Sequence, residues 1–246
     1  MPERNIRIKI QYDGTEFAGW QVQPNQVTIQ GEIERALKEL TGRDITLYGA
    51  GRTDAGVHAL AQVANFRVDF NLPAIKFREA LNFYLPNTIL ITESLEADEK
   101  FDSRWSAIWR HYRYVIGKER SALYFNRRWE YGYSLNVARM NRMAALIQGW
   151  MDCATFCTVS SQKENNDCNI ISAGWIEDEE TIRFEIKANR FLHSMVRSIV
   201  GLMVEGGREK DYLTLEKFKD IIKSGDHTRI KIVAPARGLY LVAVGY

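Results

Sequence analysis

Between two stretches that alternate like strands lies Gly49-Ala50-Gly51-Arg52-Thr53-Asp54-Ala55-Gly56-Val57-His58-Ala59. Three glycines within eight residues mark a sharply folded loop where backbone and ligand can approach closely. A phosphate-cradling loop would end in G-K-[ST] and open a helix. Here that ending is absent and a strand pattern follows, which argues against nucleoside triphosphate binding. Asp54 is then the group to explain. In the plainest reading it caps a turn while Arg52 pairs with a surface carboxylate. In the chemical reading its carboxylate is a nucleophile or base, a role that requires the ionised form. His58, four residues on, reads first as a hydrogen-bonded loop histidine, with acid or base work as the alternative. Asp13 in the Tyr12-Asp13-Gly14 turn suggests half of a glycosidase pair, but a strand-ending Asp-Gly turn explains it without chemistry.

Two further residues complete the candidate chemistry. Arg197 sits in FLHSMVRSIVG, among apolar neighbours on a helix read as buried, so its charge demands a partner and an ion pair is favoured over a snorkelling side chain. Tyr112 and Tyr114 are two apart on a strand and share a face, whereas Trp109, His111 and Arg113 point the other way. Tyr114 is read as core; Tyr112 offers a flat ring to a base. From Arg104 to Arg128 the chain carries seven Lys or Arg against one acid, Glu119, interleaved with aromatics. That mixture suits a phosphate backbone and unstacked bases. Three cysteines, Cys153, Cys157 and Cys168, include no C-x-x-C pair and read as buried reduced thiols rather than zinc ligands or a disulfide framework.

The elements that must hold these residues can be read from periodicity. Ile6, Ile8, Ile10 and Tyr12 alternate as a half-buried strand. Thr28 reads as the N-cap of a helix through Ile29, Ile33, Ala36, Leu37 and Leu40 that Gly42 closes. Strands fit 45–48 and 62–68, a helix 73–85, and a strand 88–95. The second half repeats the order with a strand at 110–116, a helix at 137–149, strands at 169–176 and 181–188, a helix at 191–204, an extra helix at 215–222 and a last strand at 239–246. Each half therefore reads βαββαβ. The expected fold class is α+β, two tandem ferredoxin-like units, whose antiparallel sheet has helices on one face and an open face that can hold RNA. The expected domains are 1–105, carrying the Asp54 loop, and 106–246.

Composition bounds the rest. With 246 residues, 46% hydrophobic, 26% charged and a net charge of +2, the chain is an ordinary globular one, and disorder, collagen and coiled coil are excluded. No run of about 18 apolar residues offers a membrane span, and the N-terminal stretch lacks the apolar core of a signal peptide. A cytoplasmic location without membrane association is expected.

The loop GAGRTDAGVHA, with QYDGTEFAGWQVQPN near the start, RHYRYVI at 110–116, NRFLHSMVRSIVG at 189–201 and GLYLVAV at 238–244, resembles the TruA-type tRNA pseudouridine synthases over nearly the whole chain. The resemblance implies a joined, mainly antiparallel sheet around a central, positively charged RNA-binding cleft, a homodimer and no cofactor or metal. It also implies isomerisation of uridine to pseudouridine in the anticodon arm at tRNA positions 38 to 40. Motif by motif, Asp54 corresponds to the catalytic aspartate, Tyr112 to the tyrosine that stacks on the target uracil, and Arg197 to the arginine that pairs with the aspartate. Asp102-Ser103-Arg104-Trp105-Ser106-Ala107 departs from the family's H-A-R-[FY]-S-A, and His193-Ser194 replaces a pair of histidines found in some members. Both departures bear on substrate contacts rather than on the three matched residues.

The reaction explains why such residues are needed: the N-glycosidic bond breaks, the uracil turns, and C5 bonds to the ribose. A carboxylate can start this by attacking the ring or the ribose, or by removing a ribose proton. A buried carboxylate drifts toward neutrality and an adjacent arginine opposes that drift, the role expected of Arg197. The target base must be flipped out of its stack, so Arg52 is read as holding a phosphate or filling the vacated space. Trp20, Gln21, Arg104, Arg110 and His58 are further RNA-contact candidates. Two rivals stand beside this reading. A noncatalytic RNA-binding protein gains nothing from a buried carboxylate beside its anionic ligand, and a nucleoside hydrolase needs a second carboxylate that the sequence does not offer.

Overall fold

A computed structural model of the chain describes residues 3–208 and 213–246. The contacts divide it into two units, one running to Ile108 and joined by Tyr240–Tyr246, the other spanning Trp109–Leu239.

The first unit begins with β1 (Arg4–Tyr12), whose Ile6, Ile8 and Ile10 are fully buried while Lys9 and Gln11 face out. This is the alternation of a strand with one covered face. The helix α1 (Ile29–Thr41) starts where Thr28 accepts the Gly31 N–H in its side chain and stops at Gly42, left-handed at φ 72°. Both ends are set by local chemistry. β2 is only Tyr48–Gly49, shorter than the expected 45–48, and β3 (His58–Val68) is longer than expected. The expected helix 73–85 splits into a 3-10 turn at Ala74–Lys76 and α2 (Phe77–Tyr84), followed by β4 (Ile89–Glu96). β1 lies antiparallel between β3 and β4. The other edge of β3 is shared by β2, opposite Asn65 and Ala64, and by the chain's last strand, whose Tyr240 and Leu241 run parallel to His58 and Ala59. Ile33, Ala36 and Leu37 of α1 and Phe77 and Leu81 of α2 complete the core with Phe66, the leucine, isoleucine and phenylalanine side chains each contributing about 1.5–3 kcal/mol by leaving water.

The second unit opens with β5 (Trp109–Gly117), flanked at its end by β6 (Trp129–Glu130) in parallel and along its length by β9 (Thr181–Ala188) in antiparallel. β8 (Asp167–Glu177) pairs with β9, and β7 (Gly149–Asp152) with β8. The helix α3 (Val137–Ala145) stops short of the expected 149, and Gly149, at φ 95°, already belongs to β7. α4 (Met195–Gly207) begins four residues later than expected: Ser194 holds a left-handed φ of 58° and delays the first turn. Gly206 and Gly207 let α4 meet α3, since a Cβ on either would press on Met143 or Met140. α5 (Leu215–Lys223) lies where the periodicity put it, and β10 (Leu239–Gly245) leads back to the first unit. Both units are mixed α+β with mostly antiparallel sheets, and among the described residues no helix is long and apolar enough to cross a membrane.

Candidate active site

The Asp54 loop is fixed through its backbone. Asp54 O accepts the Val57 N–H at 3.2 Å to close a turn, with Gly56 at φ 75° in the third position, where a type II turn needs a positive φ. Two glycines from the segment before α1 receive this turn. A Cβ on Gly14 would lie 2.0 Å from Val57 O, and one on Gly19, at φ 98°, would lie 2.7 Å from Thr53 O. The contact is pinned by the Trp20 N–H on Thr53 O at 3.0 Å and by a 2.7 Å bond between the Tyr12 hydroxyl and Thr53 Oγ1. At the loop's entry Ala50 N–H bonds Val63 O, and the Gln62 amide bonds Gly51 O, both at 2.8 Å. Thr53 and Val57 are buried and Asp54 is half-buried between them, while Arg52 and Ala55 are exposed. The result is a rigid turn with a carboxylate at its rim.

Several residues of this support were not singled out by sequence reasoning: Tyr12, Gly14, Gly19, Thr53 and Gln62. The glycines of QYDGTEFAG were the available signal. Trp20 is 2% exposed; its indole lies on Gly49, where any Cβ would overlap it, so it supports the loop from beneath. His58 is equally buried, takes the Gly14 N–H at Nδ1 (3.1 Å), and stacks on Tyr240 with ring centroids 4.8 Å apart. Gln21 is half-buried.

In the second unit, Tyr112 and Tyr114 do share the buried face of β5. Tyr112 meets Phe191 edge to face at 4.9 Å. Tyr114 is core, as expected, and donates its hydroxyl to Pro235 O at 2.7 Å; burial pushes that phenol well above its ordinary range against the nearby charges of Arg197 and Arg237. Arg197, half-buried on α4, donates Nε to Ala234 O at 2.8 Å while its own carbonyl accepts the Ala234 N–H at 3.1 Å. The segment carrying Ala234 can lie this close because α4 has Gly201 one turn on, whose Cβ would stand 1.8 Å from Ile232 O. A strap from Ile232 to Gly238 thus orients both Arg197 and Tyr114.

The opposite face of β5 is polar. Glu185 accepts from Arg113 and sits 2.7 Å from His111 Nε2; burial opposes its ionisation, but these bonds and the Arg113 charge outweigh it and hold the carboxyl below its usual range. Lys187 lies 3.7 Å over the Trp109 ring. Arg104 is exposed with its guanidinium 4.9 Å from the Trp105 ring, and Arg110 reaches Asn189 O at 3.0 Å. Cys153, Cys157 and Cys168 are free and buried. The Cys153 thiol donates to Met151 O at 3.8 Å and the Cys168 thiol to Asn166 O at 3.7 Å; their mutual proximity, with Arg190 near Cys168, pushes Cys153 up and holds Cys168 below its ordinary range, and burial raises Cys157. Among the described residues no three His, Cys, Asp or Glu are grouped to hold a metal ion.

These features define a mixed α+β protein built around a glycine-rich turn that presents one carboxylate, with a strap-held arginine in its second unit. A family model described as tRNA pseudouridine synthase matches residues 8–106 and 143–246, and the chain belongs to that family. The tRNA pseudouridine synthase A of Brachyspira hyodysenteriae is 42% identical over 240 residues, covering 96% of both chains. That of Caldicellulosiruptor bescii is 42% identical over 245 residues, 99% of this chain and 100% of the relative, and that of a Thermoanaerobacter species 38% identical over the same shares.

Proposed function

We propose that this chain isomerises uridine to pseudouridine in tRNA, with Asp54 as the catalytic carboxylate. The observation that carries the assignment is the turn itself: a carboxylate held half-buried by backbone contacts from Gly14, Gly19 and Trp20, in a protein of this family. Isomerisation consumes no redox equivalent and no water. What it needs is an ionised carboxylate in a fixed place, a surface for the released base to turn against, and a site closed to solvent.

In this reading Tyr112 stacks on the target uracil and Arg197 pairs with Asp54, its guanidinium pre-oriented by Ala234 O. Arg52, exposed on the same loop, contacts the RNA as the base is flipped out, and Arg104 and Arg110 hold phosphates. Trp20 and His58, buried under the loop, act by supporting it, with Gln21 beside them. The reading carries with it tandem ferredoxin-like units with a joined sheet and a central cleft, a cytoplasmic homodimer, no cofactor, and uridines of the anticodon arm at positions 38 to 40 as targets. The test is incubation with tRNA tritiated at uracil C5: bonding C5 to the ribose must expel that label to water, whereas a nucleoside hydrolase would release free uracil and a binding protein neither. Chemical mapping of pseudouridine then locates the target.

A further inference from the structure

Residues 118–128, which lie between the stretches matched by the family model, form a loop closed at its base by the parallel pairing of Ile116 and Gly117 with Trp129 and Glu130. At that base Arg128 is 7% exposed. It lies across Gly117, where any Cβ would come within 2.3 Å of its Nε, and it donates Nη2 to Glu119 O at 3.0 Å. Its Nε has no hydrogen-bond partner, and no carboxylate pairs with it among the described residues. Instead its guanidinium carbon faces the Tyr124 ring at 5.1 Å. The next ring also faces a guanidinium, with Arg237 5.2 Å from Phe125. Yet Tyr124 is 47% and Phe125 52% exposed, with Arg120 and Arg127 exposed beside them.

A buried cation without a carboxylate is costly, and an aromatic face compensates it only in part. An anionic partner that also offers a flat π surface would supply what is missing. We propose that Tyr124 and Phe125, each backed by an arginine, form a stacking platform for unpaired nucleotides of the tRNA, outside the Asp54 site. The proposal rests on tRNA being the substrate. A base laid on the outer face of either ring completes an arginine–ring–base stack, and Arg120 and Arg127, exposed and flanking the two rings in sequence, would serve the neighbouring phosphates. A hydrophobic protein partner would instead have to desolvate those two cations.

The test measures binding of a tRNA transcript to the full chain at fixed salt. Tyr124→Ala and Phe125→Ala should each weaken binding about 5- to 160-fold, the range for losing one stacked base. Tyr124→Trp, which keeps a ring over Arg128, should restore it and keep a melting temperature close to the parent's. Ultraviolet irradiation of the complex should attach RNA to the peptide spanning 121–127. Binding within twofold of the parent for both alanine variants, or RNA-free variants that change their sedimentation because the rings pack on a second copy of the chain, would overturn the proposal. Tritium release by the unaltered chain keeps the two readings apart: no release with ring-dependent binding removes the synthase and leaves the platform, and release with ring-independent binding does the reverse.

Discussion

Replacing Gly14 by alanine tests whether the Asp54 turn is positioned by close backbone approach. The added Cβ would lie 2.0 Å from Val57 O and 2.7 Å from Val57 C, both backbone atoms that cannot rotate aside. Since real Cβ contacts essentially never fall below 3.0 Å, the two strands of backbone must separate by at least the difference, 3.0 − 2.0 = 1.0 Å. Val57 cannot retreat alone, because its N–H is bonded to Asp54 O, and the Gly14 N–H is itself tied to His58 Nδ1. The displacement therefore passes to Asp54, the carboxylate proposed to carry the reaction. A misplacement of about 1 Å costs about 100-fold in rate, or about 2.7 kcal/mol in the barrier. Overpacking should cost about 1–3 kcal/mol of stability besides.

The assay is single-turnover tritium release with enzyme in excess over tRNA, well below the variant's melting temperature, so that neither affinity nor unfolding limits the rate. Gly42→Ala is the control. That residue is left-handed at φ 72°, so alanine there costs about 1–2 kcal/mol, but nothing lies within 4 Å of the new Cβ and it ends α1 rather than touching the turn. It should lose stability and keep its rate. If Gly14→Ala turned over within threefold of the parent, or if both variants slowed in proportion to their lost stability, positioning by the glycine contact would be refuted.

Four more outcomes follow from the same geometry. Asp54→Asn should fold and bind tRNA yet release no tritium, because the amide keeps the shape and removes the charge; appreciable release would end its assignment. Gly201→Ala should drive Ile232 away from α4 and free Ala234 O from Arg197, lowering both melting temperature and single-turnover rate, and an unchanged rate would detach the strap from catalysis. Glu185, held below the usual carboxyl range, stabilises the fold at pH values above the unfolded pKa of about 4.3 and loses that contribution as pH falls through its lower folded value. Glu185→Gln should therefore cost about 1–3 kcal/mol at neutral pH and narrow the gap to the parent in acid, which denaturation at pH 7 and pH 3 would read. Removing Arg52 should flatten the log–log salt dependence of tRNA affinity by roughly one phosphate's worth, about 0.7 to 0.9; weaker binding with the parent slope would mean base contact instead.

What could be read from the sequence was what local chemistry decides. Thr28 and Gly42 bracket α1 because a side-chain cap and a left-handed stop are properties of the residues themselves. β9 shows its bounds through the plain alternation of Ile182, Phe184 and Ile186. By contrast, α4 was drawn four residues early, since nothing in a serine announces the positive φ that Ser194 adopts. β6 is two residues held by pairing with β5, a tertiary event without local sign. The glycine loop around Asp54 was legible as a loop, but its holders, Gly14, Gly19 and Trp20, come from a segment far away in sequence. Trp20 itself read as a ring for RNA because aromatic type says nothing of burial; only Gly49, by leaving space under the loop, decides that the indole lies inward.

The same device recurs at the two places on which the proposed chemistry rests. At the Asp54 turn Gly14 admits Val57 O, and at the Arg197 strap Gly201 admits Ile232 O; in each case a missing Cβ lets one backbone seat directly against another. Backbone seating is stiffer than side-chain contact, because a carbonyl cannot relax by changing rotamer and its displacement carries neighbouring residues with it. At the turn it also separates placement from reactivity, since the contacts that close it are made by main-chain atoms and Thr53, whereas at the strap Arg197 Nε itself bonds Ala234 O beside the Tyr114 bond to Pro235 O. In the proposed reaction the base must leave the ribose, turn and return, so the carboxylate and the arginine assigned to it would each have to stay fixed while the substrate moves. Gly14, seated on the Asp54 turn from a distant segment, and Gly201, one turn on from Arg197, provide that fixing, which is why their substitution is expected to cost rate out of proportion to stability.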